Sequence, residues 1–311
     1  MSAGSTYRLQ PYLFVLPALI LMFVILILPV MVAAVLSFSD YSLGNSSFDW
    51  IGTDNYDKIV SRSRYEKMLW ATGLYVGVVV PLSLGLGLGA ALLINSLRWG
   101  GDLYKTIYFL PVMAALLAMA IVWEFALHPT IGIINDTLAS FCDVQWLRAW
   151  EWYDHGCKDS FPLWLGEKKY ALWTVCFIGI WQAFGFNMVL YLAGLTSIPR
   201  ELYHAAEMDG AKTAWDRFRL VTWPMLGPTT VFVVTITAIR SFQVFDTVEA
   251  IFPDGGGPGK SVYVMMFVIY EKGIKENLIG MGSAITIVFL AFVLLMTLIQ
   301  YRFVNRRTHY A

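Results

Sequence analysis

Long runs of apolar residues dominate the sequence, and shorter polar segments separate them. A helix needs about 20 apolar residues to cross a bilayer, and each run is long enough. The first run is too long for a signal-peptide core and lacks a convincing cleavage site, so we interpret it as a retained anchor. The pattern predicts an all-α polytopic membrane protein, with a six-span domain over residues 13–303. The spans lie at approximately 13–37, 69–95, 104–127, 170–195, 220–243 and 281–303.

The composition agrees with this prediction. Hydrophobic residues make up 58% of the 311 positions and charged residues only 14%, whereas a soluble domain has about 25% charged residues. The formal net charge is zero, so the charge balance predicts no nucleic-acid partner.

The distribution of Lys and Arg predicts the orientation. Six spans place both termini on one side, and short cytoplasmic segments carry an excess of basic residues. With residues 1–12 and 304–311 inside, the loops 38–68, 128–169 and 244–280 lie outside, and the inside density of basic residues is about double. The basic residues that then lie inside are Arg8, Arg98, Lys105, Arg200, Lys212, Arg217, Arg219, Arg302, Arg306 and Arg307.

A glycine-rich segment, FPDGGGPGKSVYVM, ends its glycine run in Gly259-Lys260-Ser261, like the end of a phosphate-binding loop. The complete pattern requires a glycine five residues earlier, where this chain has Asp254, and a strand that leads into a helix. The preceding segment has the pattern of a membrane span, and the loop lies on the predicted outer side. We therefore expect no ATP binding here and interpret the glycines as a flexible turn.

The three cysteines form no metal-binding pattern. Cys142 and Cys157 share a predicted outer loop, where a disulfide and two free thiols are both compatible with the sequence, and Cys176 lies in the fourth apolar run. The same outer loop, CDVQWLRAWEWYDHGCKDSFPLW, is rich in tryptophan. That composition suits either an interfacial aromatic belt or a contact with an external partner protein.

One predicted cytoplasmic loop, residues 198–219, joins the fourth and fifth spans. Its segment RELYHAAEMD consists of strong helix formers, follows the helix-start signal of Pro199 and Glu201, and ends at Gly210. This short helix suits docking into a groove of a partner, because small side chains permit close approach, or lies on the membrane surface as a connector. Its mostly apolar face consists of Leu202, Ala205, Ala206 and Met208.

Three segments resemble one family of membrane proteins. The segment GLTSIPRELYHAAEMDGA, with Pro224 fourteen residues after Gly210, resembles the EAA loop of ABC importer permeases, in particular the carbohydrate-uptake, MalF-like branch. FQVFDTVEAIFPDGGGP and FLPVMAALLAMAIVWEFALHPTIGIIN also resemble that branch, and the resemblance covers nearly the whole chain. The residues that match the ATPase-coupling motif are His204, Ala205, Ala206, Glu207, Asp209 and Gly210.

The chain departs from the family pattern at two points. The first motif residue is usually Glu, and here it is His204, which would leave the helix intact but remove an acidic contact to an ATPase subunit. The spacing from Gly210 to Pro224 is one residue longer than in the family, which affects the helical phase after Gly210.

The resemblance implies a permease subunit of an ATP-binding-cassette importer in a bacterial inner membrane. The implied partners are a second permease subunit, two ATP-binding subunits on the cytoplasmic side, and an extracytoplasmic solute-binding protein that delivers a carbohydrate-type solute. Membrane lipid surrounds the chain. The resemblance implies no catalysis, metal or cofactor in this chain, because Mg-ATP binds in the partner ATPase subunits.

Polar residues within spans are costly and mark solute pathways. An amide beside an aromatic ring suits a sugar, because the ring covers C–H groups and the amide binds hydroxyls; the alternative is a hydrogen bond between helices. Arg240 has two alternatives as well: an ion pair with Glu124, Asp246 or Glu249, or contact with an anionic group of the solute. The candidate pathway residues are Glu124, Gln182, Asn187, Tyr191, Arg240, Gln243, Phe245 and Asp246.

Two other classes of protein compete with the importer subunit. A stand-alone secondary transporter would show an internal inverted repeat or acidic relays within the spans, and the sequence has no such repeat and few acidic residues within the spans. An intramembrane enzyme would need a nucleophile with a base, or a metal site, within the spans. The histidines lie outside the spans or at their ends, at positions His128, His155, His204 and His309. Within the importer family, a sugar, an oligosaccharide, a polyol, a sugar acid and glycerol phosphate all remain candidate solutes.

Overall fold

The computed structural model describes residues 6–305 except for residues 46, 48, 98, 141–161 and 254. Cys142, Cys157 and nearly all of the tryptophan-rich loop therefore lie outside the described residues, as do Arg98, His155, Asp254, Arg306, Arg307 and His309. Within the described residues the chain is helical, and its only β-pairing is an isolated bridge between Ser39 and Trp50.

The α-helices, in chain order, are α1 Thr6–Met22, α2 Leu28–Leu36, α3 Asp54–Ser61, α4 Ser63–Ser96, α5 Gly101–Met113, α6 Leu116–Ala126, α7 Ile133–Ser140, α8 Lys168–Thr196, α9 Arg200–Met208, α10 Ala214–Arg217, α11 Trp223–Met225, α12 Gly227–Phe242, α13 Asp246–Ile251, α14 Met265–Tyr270 and α15 Ile279–Asn305. Three π-helical turns, Phe23–Ile27, Phe218–Thr222 and Glu271–Lys275, and a 3-10 turn, Pro258–Lys260, join some of them.

Five described segments are long and apolar enough to cross a membrane: Phe14–Leu36, Ser63–Ser96, Lys168–Thr196, Gly227–Ile251 and Ile279–Ile299. The predicted third span at 104–127 is not one straight helix, because α5 and α6 form a pair bent by 100°, which is either a broken span or a re-entrant loop. Ala114 and Ala115 have extended backbone, with ψ of 142° and 125°, and this ends α5. A run of apolar residues indicates an apolar environment, but it does not determine the direction of a helix axis. The total is six spans only when the bent pair counts as one.

The predicted outer loops contain helices that a search for long apolar runs does not detect. The segment 38–68 includes α3 and the start of α4, the segment 128–169 includes α7, and the segment 244–280 includes α13 and α14. These helices are short, and α3 carries Asp54, Asp57 and Lys58 on its polar side. Short amphipathic helices lack the 20-residue apolar run that marks a membrane span.

The chain divides into two compact units, the first of which comprises the chain up to Tyr65 together with Val268–Phe292. In this unit the Asn55 side chain donates hydrogen bonds to the carbonyl oxygens of Ser37 at 3.0 Å and Ser39 at 2.9 Å. Ion pairs join Arg64 to Glu271 at 3.5 Å and the buried Lys272 to Glu276. Polar contacts therefore hold the ends of these helices in register.

The second unit comprises Glu66–Phe267 and the chain from Val293 onward, and α8 lies at its centre. Gly185 lets α8 approach α5 closely, since a Cβ at this position would lie 2.0 Å from the Tyr108 carbonyl oxygen. The buried core around α8 includes Ala91, Met188, Leu195 and Val233. This packing positions the polar residues of α8 against α4 and α12.

Candidate functional site

The second unit contains an open cavity of about 350 Å³, formed by α4, α8, α12 and the segment that follows α12. The volume lies in the range of small-molecule sites, which run from about 300 to 1,000 Å³. The polar residues of its wall are Tyr75, Gln182, Asn187, Thr237, Arg240, Ser241, Gln243, Asp246 and Thr247. The apolar part includes Val79, Phe186, Val244 and Phe245.

A buried hydrogen-bond network ties three helices together behind this cavity. The Asn187 side-chain amide donates to the Ser83 hydroxyl of α4 at 3.1 Å, and its oxygen accepts from the Thr237 hydroxyl of α12 at 2.7 Å. Asn187 has no exposed surface. Both ends of the amide have partners within the bundle, so the geometry favours the helix–helix alternative for Asn187.

Arg240 presents its charge to the cavity. Its guanidinium carbon lies 4.1 Å from the centre of the Phe186 ring, and both residues line the wall. Among the described residues no ion pair joins Arg240 to Glu124, Asp246 or Glu249. The structure therefore does not support the structural alternative for Arg240, because an aromatic ring contacts the cation instead.

Six of the eight candidate pathway residues come together at the cavity, and two do not. Tyr191 shares a helix face with Asn187 but lies in the buried core with Leu195 and Val233, where apolar side chains fill the space. Glu124 is exposed on α6 and does not line the cavity. The residues that do line it are Gln182, Asn187, Arg240, Gln243, Phe245 and Asp246.

The sequence interpretation missed other lining residues, including Tyr75, Phe186 and Thr237. Helical spacing provides a signal for two of them. Phe186 lies four positions after Gln182, and Thr237 lies three positions before Arg240, so each shares a helix face with a residue already chosen. Tyr75 lies on α4, where nothing in the local pattern points to the cavity.

Helix α9 occupies the segment that matches the EAA loop, and Gly210 terminates it. The Ala211 N–H donates to the Ala206 carbonyl at 2.9 Å, and the Gly210 N–H donates to the Glu207 carbonyl at 3.1 Å. This pair of bonds is a Schellman motif, which requires a left-handed residue after the helix. Gly210 fills that position with φ of 99°, a value that side chains rarely allow.

Side chains of α9 attach it to the segment that leads into α12. The hydroxyl groups of Tyr203 and Thr222 lie 3.0 Å apart within hydrogen-bond distance, and Arg217 donates to the Glu207 carboxylate at 2.9 Å. Thr222 is buried in the π-helical turn that precedes α11. A displacement of α9 would therefore act on the start of the α11–α12 segment.

A capping box begins α10 within this same segment. The Thr213 hydroxyl accepts from the Asp216 N–H at 3.1 Å, and the Asp216 carboxylate accepts from the Thr213 N–H at 2.9 Å. The side-chain and backbone hydrogen bonds of Thr213 lower the pKa of Asp216. The helix after Gly210 thus restarts at a defined residue despite the long spacing to Pro224.

The apolar face of α9 differs from the predicted one. Ala206 is buried in the core with Ala211 and Val221, so it does not face outward. The helix turns about 100° per residue, so Ala206 lies on a different side from Ala205. The exposed apolar residues are Leu202, Ala205 and Met208, beside the exposed His204.

The glycine-rich segment lacks the context of a phosphate-binding loop within the described residues. The chain before it forms α12 and α13 rather than a strand, and the following helix begins only at Met265. Gly256 and Gly257 have φ of 76° and 79°, as expected for a turn.

Comparisons with known proteins identify the family. The family described as "Binding-protein-dependent transport system inner membrane component" matches residues 83–309. The chain is 30% identical over 298 residues to the probable ABC transporter permease protein YurN of Bacillus subtilis (strain 168), covering 95% of this chain and 96% of that protein. It is 27% identical to the sn-glycerol-3-phosphate transport system permease protein UgpA of Agrobacterium fabrum, covering 97% of each.

The fold is also that of a solved importer subunit. A chain of a bacterial ABC transporter involved in the import of the acidic polysaccharide alginate superposes with a TM-score of 0.79 at 21% identity, covering 98% of both chains. The relatives of the present chain are transporter subunits and not enzymes. The chain belongs to the family of binding-protein-dependent transport system inner membrane components, and it is a permease subunit of an ABC importer of the carbohydrate-uptake type.

Proposed function

We propose that the cavity is this chain's half of the solute pathway and that α9 is the helix on which an ATP-binding subunit acts. One observation carries the proposal: α12 links the two sites. The segment that leads into α11–α12 contacts α9 through the pairs Thr222–Tyr203 and Arg217–Glu207. At its other end, the last turns of α12 place Thr237 and Arg240 at the cavity. The 16 residues of α12 span about 24 Å.

The partners follow from this arrangement. A second, similar permease completes the pathway, and two ATP-binding subunits hold Mg-ATP and contact α9 and its counterpart. A solute-binding protein delivers the solute from the opposite side. In this proposal α9 and both termini lie in the cytoplasm, and the density of basic residues supports that orientation. The family description, which names binding-protein dependence and the inner membrane, supports this set.

The mechanism is mechanical, and this chain performs no bond chemistry in it. ATP binding closes the ATPase pair and displaces α9, which moves the α11–α12 segment as a packed unit. The Asn187 network then transmits the movement to α4 and α8, because its hydrogen bonds join all three helices. Access to the cavity alternates between the two sides of the membrane.

A pair of neighbouring cysteine variants tests the contact with the ATPase. In a background without the 3 native cysteines, Ala205→Cys labelled with a short maleimide–diazirine reagent should form a photo-cross-link to an ATP-binding subunit, which needs no thiol on the partner. Ala206→Cys is the matched control, because Ala205 is exposed and Ala206 is buried. Equal cross-linking from both positions, or none from Ala205→Cys in an importer that transports its solute, would contradict the proposal.

A further inference from the structure

The charges of the cavity distinguish one class of solute from the others. Of its described lining residues, only Arg240 and Asp246 are charged, and no ion pair joins them. We propose that this cavity takes a hydroxylated solute that carries one carboxylate, phosphate or sulfonate group, with Arg240 as the residue that binds the anionic group. This inference rests on the proposed pathway role of the cavity and specifies its solute.

Two interactions hold the exposed Arg240 side chain at the cavity. Arg240 lies in the last turn of α12, which ends at Phe242, and the C-terminal end of a helix dipole stabilises a positive charge. The Phe186 ring adds a cation–π contact at 4.1 Å. Neither interaction consumes the N–H donors that lie in the plane of the guanidinium group.

The free donors of Arg240 match an anionic group geometrically. A guanidinium group presents five N–H donors in a rigid fork, which binds carboxylate and phosphate oxygens in pairs. Phe186 restricts the side chain and so reduces the entropy that binding would cost. A neutral sugar offers this fork only hydroxyl oxygens, whereas a carboxylate or phosphate offers charged oxygens that accept its donors in pairs.

Asp246 favours a solute that carries hydroxyl groups, because its carboxylate accepts their hydrogen bonds. It lies in the first turn of α13, where the helix N-terminus stabilises its negative charge. An ionised carboxylate only accepts hydrogen bonds, so it selects donors such as sugar hydroxyls and repels a second anionic group. Gln182 and Gln243 line the same cavity and supply further amide donors and acceptors.

Chemical protection of Arg240 tests this proposal without a mutation. The importer with its partner subunits is placed in nanodiscs without the solute-binding protein and treated with phenylglyoxal, which modifies accessible arginine. Mass spectrometry follows the adducts at Arg240 and at the exposed Arg62, the internal control. The probes are D-glucuronate, D-glucose 6-phosphate and neutral D-glucose, with sodium chloride balancing the ionic strength.

At least one charged probe should slow the modification of Arg240, whereas glucose should not. For a Kd of about 1 mM, a probe at about 10 mM slows the reaction about tenfold, and Arg62 reacts unchanged. Phe186→Leu should weaken the binding of that probe about two- to fivefold through the lost ring contact. Absence of protection by both charged probes, or equal protection by glucose, would overturn the anion site.

The same preparation separates this inference from the proposed function. ATP hydrolysis by the assembled nanodiscs reports on the ATPase partnership independently of Arg240. Hydrolysis without protection of Arg240 rejects the anion site alone, and a chain that recruits no ATPase subunits rejects the proposed function.

Discussion

The charged groups of the cavity and of the α9 segment differ in whether they are paired with another charge. At α9, Glu207 is paired with Arg217 at 2.9 Å, and this pair fastens the helix to its own chain. At the cavity, Arg240 contacts a ring face and keeps its donors available. A site that transmits force needs internal contacts that stay closed, whereas a site that binds a solute needs groups that stay open.

The uncharged side chains of the two regions show the opposite arrangement. Leu202, Ala205 and Met208 are exposed on α9, whereas the Asn187 side chain behind the cavity is fully buried. An exposed apolar stripe on a short helix suits a groove of a partner protein. The two regions therefore differ in which contacts they reserve for other molecules, and variants should affect them separately.

We expect the largest effect on stability from a variant that disrupts the helix packing around the cavity. Gly185→Ala places a Cβ 2.0 Å from the Tyr108 carbonyl oxygen, whereas Gly89→Ala, the matched control, has nothing within 4 Å. We expect Gly185→Ala to destabilise the chain by about 3 kcal/mol and Gly89→Ala to leave it as stable or more stable. Unfolding of the purified permease in detergent measures both, and equal stability of the two variants would contradict the close contact of α5 with α8.

We expect the next largest effect from a variant that removes the hydrogen-bond network behind the cavity wall. Asn187→Leu leaves the Ser83 and Thr237 hydroxyl groups without their partner, so we expect a loss of about 1–2 kcal/mol. The same unfolding measurement applies. Cross-linking between Ala205→Cys and the ATPase should persist in this variant, because α9 is not altered. An Asn187→Leu variant with unchanged stability but no solute binding would instead assign the amide to the solute.

A change at the end of α9 should act on coupling more than on solute binding. Gly210→Val forces a β-branched residue to φ of 99°, at a cost of about 1 kcal/mol, and displaces the end of α9. Gly210→Asn is the control, because asparagine tolerates left-handed backbone better. We expect Gly210→Val to lower the solute transported per ATP hydrolysed, and a normal ratio in this variant would separate α9 from coupling.

The smallest expected effect concerns the pair on the surface of the α9 segment. Both side chains are partly exposed, so breaking the pair by Glu207→Gln costs less than about 1 kcal/mol. The double variant Glu207→Arg with Arg217→Glu restores opposite charges and should recover the transport ratio lost in either single reversal. Failure of the double variant to recover would show that the carboxylate of Glu207 has another essential partner.

The sequence predicted the features that depend on residue pattern. Apolar runs located the five described segments that are long and apolar enough to cross a membrane. Pro199, Glu201 and Gly210 located α9, because local signals determine where a helix begins and ends. Gly210 has the positive φ that its position after the helix requires.

The features that depend on packing could not be predicted. The bend between α5 and α6 lies within one apolar run, and the inward position of Ala206 depends on the direction from which Val221 approaches. Arg240 had acidic residues nearby in sequence, yet its contact is with Phe186 of another helix. Sequence distance did not identify its partner, because helix packing determined which side chains meet.

The most direct test of the account compares one variant from each region in the assembled importer. Leu202→Asp places a charge on the exposed face of α9, and Arg240→Gln removes the charge of the cavity. Co-purification and ATP hydrolysis should be lost in Leu202→Asp and retained in Arg240→Gln, while uptake is lost in both. Full ATPase recruitment by Leu202→Asp, or its loss in Arg240→Gln, would contradict the division of roles between the two regions.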